Sequence, residues 1–455
     1  MTRKGEVFSH HIYPTLTYRL KSMEKSMKVL VISHNVFSST TSMGKTLLNY
    51  FRDWHVENIA QFYIHSEVPT DHICERYFRI TDKEILKSVF VRKSGVVLGE
   101  DDIQEGLVSP RTDRGMTAKI YQKARMRTPA IYLARNIVWN IGKWNTKRLQ
   151  HWVDEFAPDI VFLASGDYSF IYRIALKIAR RKDIPLVVSC MDDYYLHNRN
   201  EKDFLGKLVH RLFMRQVKRT MSYASCLFCI CEKMSRDYSS LFGKPCYTIH
   251  TPTTISSPLE GIRENRISYI GNLGYRRNEQ LLAIGRALQS ISEEGIPTFV
   301  DVYSSEKRPE ILAQLSPENG INFCGEISAS QVKEVMAKST LLIHTESFDE
   351  KCKKATAYSV STKIADSLAS GTCIFAYGPS DVASMEYLIE NRAAYCVFDI
   401  KQLGEGLTEA ITNVELRDEI VTNACNLAEK NHQQKQIGAL LVSAMEHAIS
   451  KGTIR

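Results

Sequence analysis

Two segments in the second half of the chain place cations where an apolar run gives way to a helical pattern. In the first, Ser361-Thr362-Lys363-Ile364-Ala365-Asp366-Ser367-Leu368-Ala369-Ser370-Gly371 lies between the apolar runs 341–344 and 372–377. Ser361 or Thr362 can cap a helix start, Gly371 can close its end, and Ile364, Ala365, Leu368 and Ala369 recur at helical spacing. A helix therefore opens where a strand has just delivered the chain. The unpaired N–H groups of such a start, its partial positive charge and Lys363 in its first turn together favour an anion such as a diphosphate. Asp366 shares that face and is placed to accept hydrogen bonds from a ribose diol. A capped helix with an i,i+3 surface ion pair is the other reading of the same residues.

The second segment, Gly271-Asn272-Leu273-Gly274-Tyr275-Arg276-Arg277-Asn278, follows the apolar run 267–270. Gly271 and Gly274 let backbone approach a ligand, and Arg276 or Arg277 can grip phosphate oxygens with a planar fork. Between the two segments, His344, Glu346 and Asp349 stand at a strand end, where they can hydrogen-bond a sugar ring or remain solvated loop charges.

Candidates on the acceptor side come from the first half. His34 ends the first apolar run, and Ser42, Gly44 and Lys45 lie where a hydroxyl-rich loop enters a helix. Gly44-Lys45-Thr46 is like the end of a P-loop, but the earlier glycine would fall at Ser39, which excludes a Walker A site. Asp192 and Asp193 follow the run ending at Cys190, so one of them can orient or deprotonate an acceptor hydroxyl, or both can serve as helix caps. Spacing identifies no metal-ligand set and no Ser-His-Asp series, so neither metal nor cofactor is expected.

At 455 residues the chain exceeds the roughly 250 to 300 at which one core stops growing, and two domains are expected. From Lys28 onward, short apolar runs alternate with longer amphipathic stretches, which defines the α/β class with a doubly wound parallel sheet. Residues 246–265 are rich in Thr, Ser and Pro. That places a first Rossmann-like domain at 27–250, a linker at 251–265, a second such domain at 266–430, and a helix at 431–455 crossing back to the first. Residues 1–26 have no apolar core of a secretory signal and read as a flexible extension. Two such domains facing each other create a cleft for two substrates.

Hydrophobic content of 44% and the lack of a run of about 18 apolar residues argue against a membrane span. Cys226, Cys229 and Cys231 alternate with large apolar residues as in a core strand, and a reducing cytoplasm is the default compartment. The net charge of +8 is concentrated. Residues 111–150 hold ten cations (Arg111, Arg114, Lys119, Lys123, Arg125, Arg127, Arg135, Lys143, Lys147, Arg148) against Asp113, together with Tyr121, Tyr132, Trp139 and Trp144. Cations interleaved with amphipathic aromatics suit an anionic membrane face. No helix-turn-helix, zinc-finger or RNA-binding signature accompanies them, so nucleic acid is not the expected partner.

The segment Lys363 to Gly371, followed by a strand and Gly378-Pro379, resembles a signature of GT-B-fold glycosyltransferases, especially the family-4-like enzymes of bacterial capsule and exopolysaccharide synthesis. Gly271 to Asn278 is similar to that family's phosphate loop, and Asn431-His432 to the start of its crossover helix. The chain departs from the pattern at Asn272, where the family has its first arginine, and at Tyr358, where it has the first of two glutamates. The resemblance implies a nucleotide-sugar donor with Arg277 and Lys363 on its diphosphate and Asp366 on its ribose. It also implies retaining, metal-independent transfer to a polysaccharide or lipid-linked acceptor, at the inner face of the cell membrane. A sugar-nucleotide epimerase on the same fold and a non-catalytic nucleotide-sugar-binding protein are the alternatives.

Overall fold

The computed structural model describes residues 27–38, 41–90, 94–103, 128–196, 204–255, 264–291 and 296–452. Among these, two sheets form. The first has the order β4-β3-β2-β1-β5-β6-β7-β8, built from β1 (Val29–Ser33), β2 (Ile59–Tyr63), β3 (Arg76–Arg79), β4 (Val96–Leu98), β5 (Ile160–Ala164), β6 (Leu186–Cys190), β7 (Cys226–Cys229) and β8 (Cys246–Thr248). Every residue of β1, β2, β5 and β6 is buried. Helices cover both faces, which is why these strands read as unbroken apolar runs and not as alternation. Pairing is parallel except at the β3–β4 edge.

The second sheet is parallel throughout, with the order β11-β10-β9-β12-β13-β14, from β9 (Ile267–Ile270), β10 (Val300–Tyr303), β11 (Ile321–Gly325), β12 (Leu341–Thr345), β13 (Cys373–Tyr377) and β14 (Tyr395–Val397). In each sheet the chain moves outward from its first strand, then returns to that strand's other side. The reversal lies between β1 and β5 in one and between β9 and β12 in the other. A crevice opens off the C-terminal strand ends at such a reversal.

The helices used below are α1 (Ser42–Phe51), α2 (Asp82–Ser88), α3 (Pro129–Ile141), α4 (Lys147–Phe156), α5 (Ser169–Lys182), α6 (Phe204–Tyr223), α7 (Glu232–Phe242), α8 (Arg277–Ser290), α9 (Pro309–Leu312), α10 (Ala329–Lys338), α11 (Glu350–Thr356), α12 (Thr362–Leu368), α13 (Ala383–Glu390), α14 (Leu403–Thr412), α15 (Val414–Asn431) and α16 (Gln434–Lys451). Arg277 occupies the first position of α8. The C-terminal helical pattern breaks at His432 and Gln433. Beyond the break, Ile437, Leu441, Ala444, Met445 and Ala448 join the core of the first domain with Val29, Val31, Tyr50 and Phe51.

Both crossings between domains touch. The Thr253 N–H donates to the His432 carbonyl (2.9 Å), and the Thr251 carbonyl lies 2.7 Å from Nδ1 of His432. Nearby, Lys233 and Arg236 of α7 pair with Glu386 of α13, and the Tyr358 hydroxyl donates to Asp237.

One expectation needs correction. Arg111, Arg114, Lys119, Tyr121, Lys123, Arg125 and Arg127 lie outside the described residues. In the rest of that stretch the aromatics face inward: Trp139 is fully buried against Phe170 at 4.5 Å, and Tyr132 and Trp144 are buried too. Arg135 is also taken into the structure, donating to Asp82 at 2.9 Å and lying 3.9 Å above the ring of Tyr168. The aromatics expected to face lipid are core residues instead, because amphipathic helices bury their largest apolar surface first.

Candidate functional site

A hollow of about 370 Å³ opens off the strand ends at the β9/β12 reversal. Gly271 and Asn272 reach it from the end of β9, Ser304 and Ser305 from β10, Glu326 and Ile327 from β11, His344 and Thr345 from β12. Arg277 at the start of α8 and Ser361, Thr362 and Lys363 at the start of α12 complete the rim. Ile327, Val332, Met336, Leu342, Ile364 and Ile374 supply an apolar lining. The hollow thus offers cations and hydroxyls beside a surface suited to a flat ring.

The turn after β9 is tight. Tyr275 and Arg276 both have positive φ (56° and 58°), a conformation L residues adopt at a cost, and the Asn272 side chain accepts from the Gly274 N–H inside the turn. At Gly271 an added Cβ would stand 3.0 Å from the Tyr269 hydroxyl. This strained turn aims the two arginines apart. Arg276 points to solvent and pairs with Glu279 (2.8 Å) and Asp349 (3.0 Å), whereas Arg277 enters the hollow. The choice between the two arginines that the sequence left open is made by this turn.

Arg277 is held from behind. Its Nη2 donates to both carboxylate oxygens of Glu346 (2.8 and 3.1 Å) and its Nε to the Thr345 carbonyl (3.2 Å), leaving Nη1 without a bond among the described residues. Burial works against the guanidinium charge, but the Glu346 carboxylate outweighs it and the pKa of Arg277 is raised. Glu346 itself is 1% exposed; burial pushes its carboxyl up, with Arg277 pulling against that. Glu346, expected to act on the sugar, is therefore the anchor of Arg277. His344 is buried with its pKa down at about 3, from burial first and Arg277 second, so it is a neutral imidazole facing Ser384 (3.1 Å).

Ser361 caps α12 as expected, accepting from the Lys363 N–H at 3.3 Å. Lys363 is 41% exposed and only 3.7 Å from Asp366, a loose pair. Asp366 does not line the hollow. Its Oδ1 accepts from the Thr253 hydroxyl at 2.8 Å, which turns the carboxylate toward the linker. Gly274 and Arg276 are likewise outside the hollow's lining.

The acceptor-side residues are scattered. Asp193 is buried and spends one oxygen on the N–H groups of Tyr195 (3.1 Å) and Leu196 (2.9 Å) and on the Tyr238 hydroxyl (2.6 Å). These bonds organise its loop. Asp192 accepts from the Asp193 N–H at 2.9 Å. His34 stands at the end of β1, its Nε2 3.3 Å from Arg135 and its ring stacked on Tyr168. Gly44 is in close contact with the Ser38 carbonyl, where a Cβ would sit at 2.8 Å, and Lys45 is exposed. α1 starts at Ser42, whose side chain lies outside the described set.

Sequence reasoning missed Ser304, Ser305, Glu326 and Ile327. They lie in the turns just after the runs 298–303 and 321–324, but neither turn carries the combined glycine and cation pattern that marks the other two.

With this geometry in view, comparison with known proteins is informative. Residues 99–257 match the family model "Glycosyltransferase Family 4". Sucrose-phosphate synthase from Thermosynechococcus elongatus aligns over 93% of this chain and 100% of its own, with 10% identity and a TM-score of 0.57. HepE of Anabaena, solved in complex with UDP, aligns over 92% and 100%, with 13% identity and a TM-score of 0.58. A trehalose 6-phosphate synthase from Burkholderia multivorans aligns over 93% and 99%, with 11% identity and a TM-score of 0.58. No protein of curated function matches the chain in sequence. The fold is GT-B, two α/β domains with parallel sheets. The similarity to the glycosyltransferase family 4 model extends over 159 of the 455 residues.

Proposed function

We propose that the chain moves a sugar from a nucleotide-diphosphate donor, seated in the second-domain hollow, to a surface polysaccharide or a lipid-linked precursor. The observation carrying this reading is that Arg277 and Lys363, 86 positions apart in sequence, line one hollow at a strand-order reversal. Nη1 of Arg277 and Nζ of Lys363 meet the diphosphate, and the apolar lining takes the base. As the glycosidic bond breaks, negative charge grows on the departing phosphate, and cations already fixed in place stabilise it without reorganising. Glu346 supports this indirectly by holding the Arg277 fork at a set angle. HepE, crystallised with UDP, supports a nucleoside diphosphate as the ligand class. Retention of anomeric configuration, independence from metal and work at the inner face of the cell membrane follow from the motif resemblance. Among the described residues no helix is long and apolar enough to cross a membrane.

A thermal-shift panel of nucleoside diphosphates and their sugars tests the donor site, since a ligand that binds only the folded state raises its melting temperature. At least one nucleoside diphosphate should stabilise the protein, and less so after Arg277→Gln. If none does at millimolar concentration, the reading fails.

A further inference from the structure

We propose that the donor nucleotide carries guanine, read by the carboxylate of Glu326. This rests on the reading of the hollow as a nucleotide-diphosphate site and names the base that the site selects.

The hollow collects cations and hydroxyls, yet one residue of its lining carries the opposite charge. Glu326 is the single Asp or Glu among the described lining residues. A carboxylate weakens an anion site unless it stands apart from the anion and meets another part of the same ligand. The sheet gives it that separation. Glu326 follows β11, two strands away from β9, so about 10 Å separate it from the strand that delivers Arg277. A span of that order divides the diphosphate of a nucleotide from the far edge of its base.

Structural duties do not account for this side chain. The helix after it, α10, is already capped by Ser328, which accepts from the Gln331 N–H at 3.4 Å while Gln331 accepts from the Ser328 N–H at 2.9 Å. Glu306, three residues beyond β10, is spent on Arg308 at 2.6 Å. Glu326 by contrast is exposed and has no hydrogen bond or ion pair among the described residues.

Beside it lies the apolar surface that a flat base requires. Val332 and Met336, at i and i+4 on α10, are buried with Leu342, and Ile270 and Ile327 pack against them. Ser304 and Ser305, at the end of the adjacent strand β10, add hydroxyls to the same rim.

The edges of the bases then decide which one fits. An ionised carboxylate only accepts hydrogen bonds, and it accepts most strongly from two parallel donors. Of the four common bases guanine alone presents two adjacent donors, N1–H and the 2-amino group. Uracil flanks its N3–H with two carbonyl oxygens, which a carboxylate repels. Adenine and cytosine set their amino group beside a ring nitrogen that accepts. A serine hydroxyl from the end of β10 suits the guanine O6, an acceptor.

Isothermal titration of the full chain with GDP, IDP, UDP and ADP tests the assignment, because IDP differs from GDP only in lacking the 2-amino group. GDP should bind on the order of tenfold more tightly than IDP, with UDP and ADP weaker still. Glu326→Gln should remove the gap between GDP and IDP and leave the unliganded melting temperature unchanged, since the side chain is exposed. Arg277→Gln should weaken all four and leave their order as it was. The assignment is overturned if GDP and IDP bind alike or if UDP or ADP binds more tightly than GDP. It is also overturned if Glu326→Gln weakens every nucleotide by one factor, as loss of a ribose contact would. Each of those results leaves the diphosphate site standing. Binding of none of the four would instead remove the donor site itself, and this assignment with it.

Discussion

Each sheet reverses its strand order beside its own first strand, yet the two resulting crevices differ. At β1/β5 the polar side chains bond to one another: Arg135 lies 3.9 Å over Tyr168 and donates to Asp82, and the Tyr132 hydroxyl donates to Asp167 at 2.5 Å. At β9/β12 the corresponding space is the hollow of about 370 Å³, where Arg277 keeps one nitrogen unspent among the described residues and Lys363 is only loosely paired. The topology is the same. What differs is whether a neighbouring helix fills the crevice, as α3 does with Arg135 in the first domain. A strand-order reversal therefore offers a site, and the packing around it decides whether the site is left open to a ligand.

The strongest way to break this comparison is to remove the support behind the open crevice. Glu346→Ala should cost about 3–5 kcal/mol of stability in urea unfolding, because it strands the half-buried Arg277 without its counter-charge. A variant with full stability and no transfer would instead make Glu346 a participant in the chemistry.

The junction between the two regions provides the next test. His432 is buried beside Tyr387 and His250, and burial, with His250 adding to it, holds its pKa down at about 4 against an ordinary 6.5. The folded state keeps this ring neutral while the unfolded chain protonates it. Its contribution is present above pH 6.5 and is lost as pH falls through 4, up to about 3 kcal/mol in all. Unfolding midpoints across that window should fall more steeply in the wild type than in His432→Asn, and parallel curves would remove His432 from the account.

Lys363→Ala sharpens the reading of the open crevice directly. Loss of one fixed cation opposite a leaving group should lower kcat on the order of 100-fold while the melting temperature stays near that of the wild type. Asp193→Asn probes the first domain: stability should drop by about 2 kcal/mol as the loop loses its charged acceptor, with transfer persisting in the folded fraction. An abolished kcat at unchanged stability would restore Asp193 as a base. Smallest of all, Arg276→Ala should leave the nucleotide-induced melting shift where it was, since this side chain faces solvent.

Local rules carried the sequence reading a long way. Apolar runs located most strands of both sheets, and the Ser361 cap marked the start of α12, whose C-terminal cap falls at Ala369, two residues short of Gly371. Lys363 and Arg277 stood out because glycine, hydroxyl and cation patterns at a turn are properties of a few adjacent residues. The failures involve partners distant in sequence. Nothing near Glu346 announces that its carboxylate will meet Arg277, 69 positions away, or that Asp366 will accept from Thr253, 113 positions away. Trp139 was misplaced for the same reason, since Phe170, its stacking partner, arrives on α5.

The return of α16 across the molecule has a consequence for biogenesis. Ile437, Leu441, Ala444 and Met445 complete an apolar core whose other members include Val29, Val31 and Phe51. During synthesis the amino-terminal lobe must wait, with that surface uncovered, until the whole second lobe has been translated. The lobe made second has no such dependence, so it is free to mature ahead of the one made first.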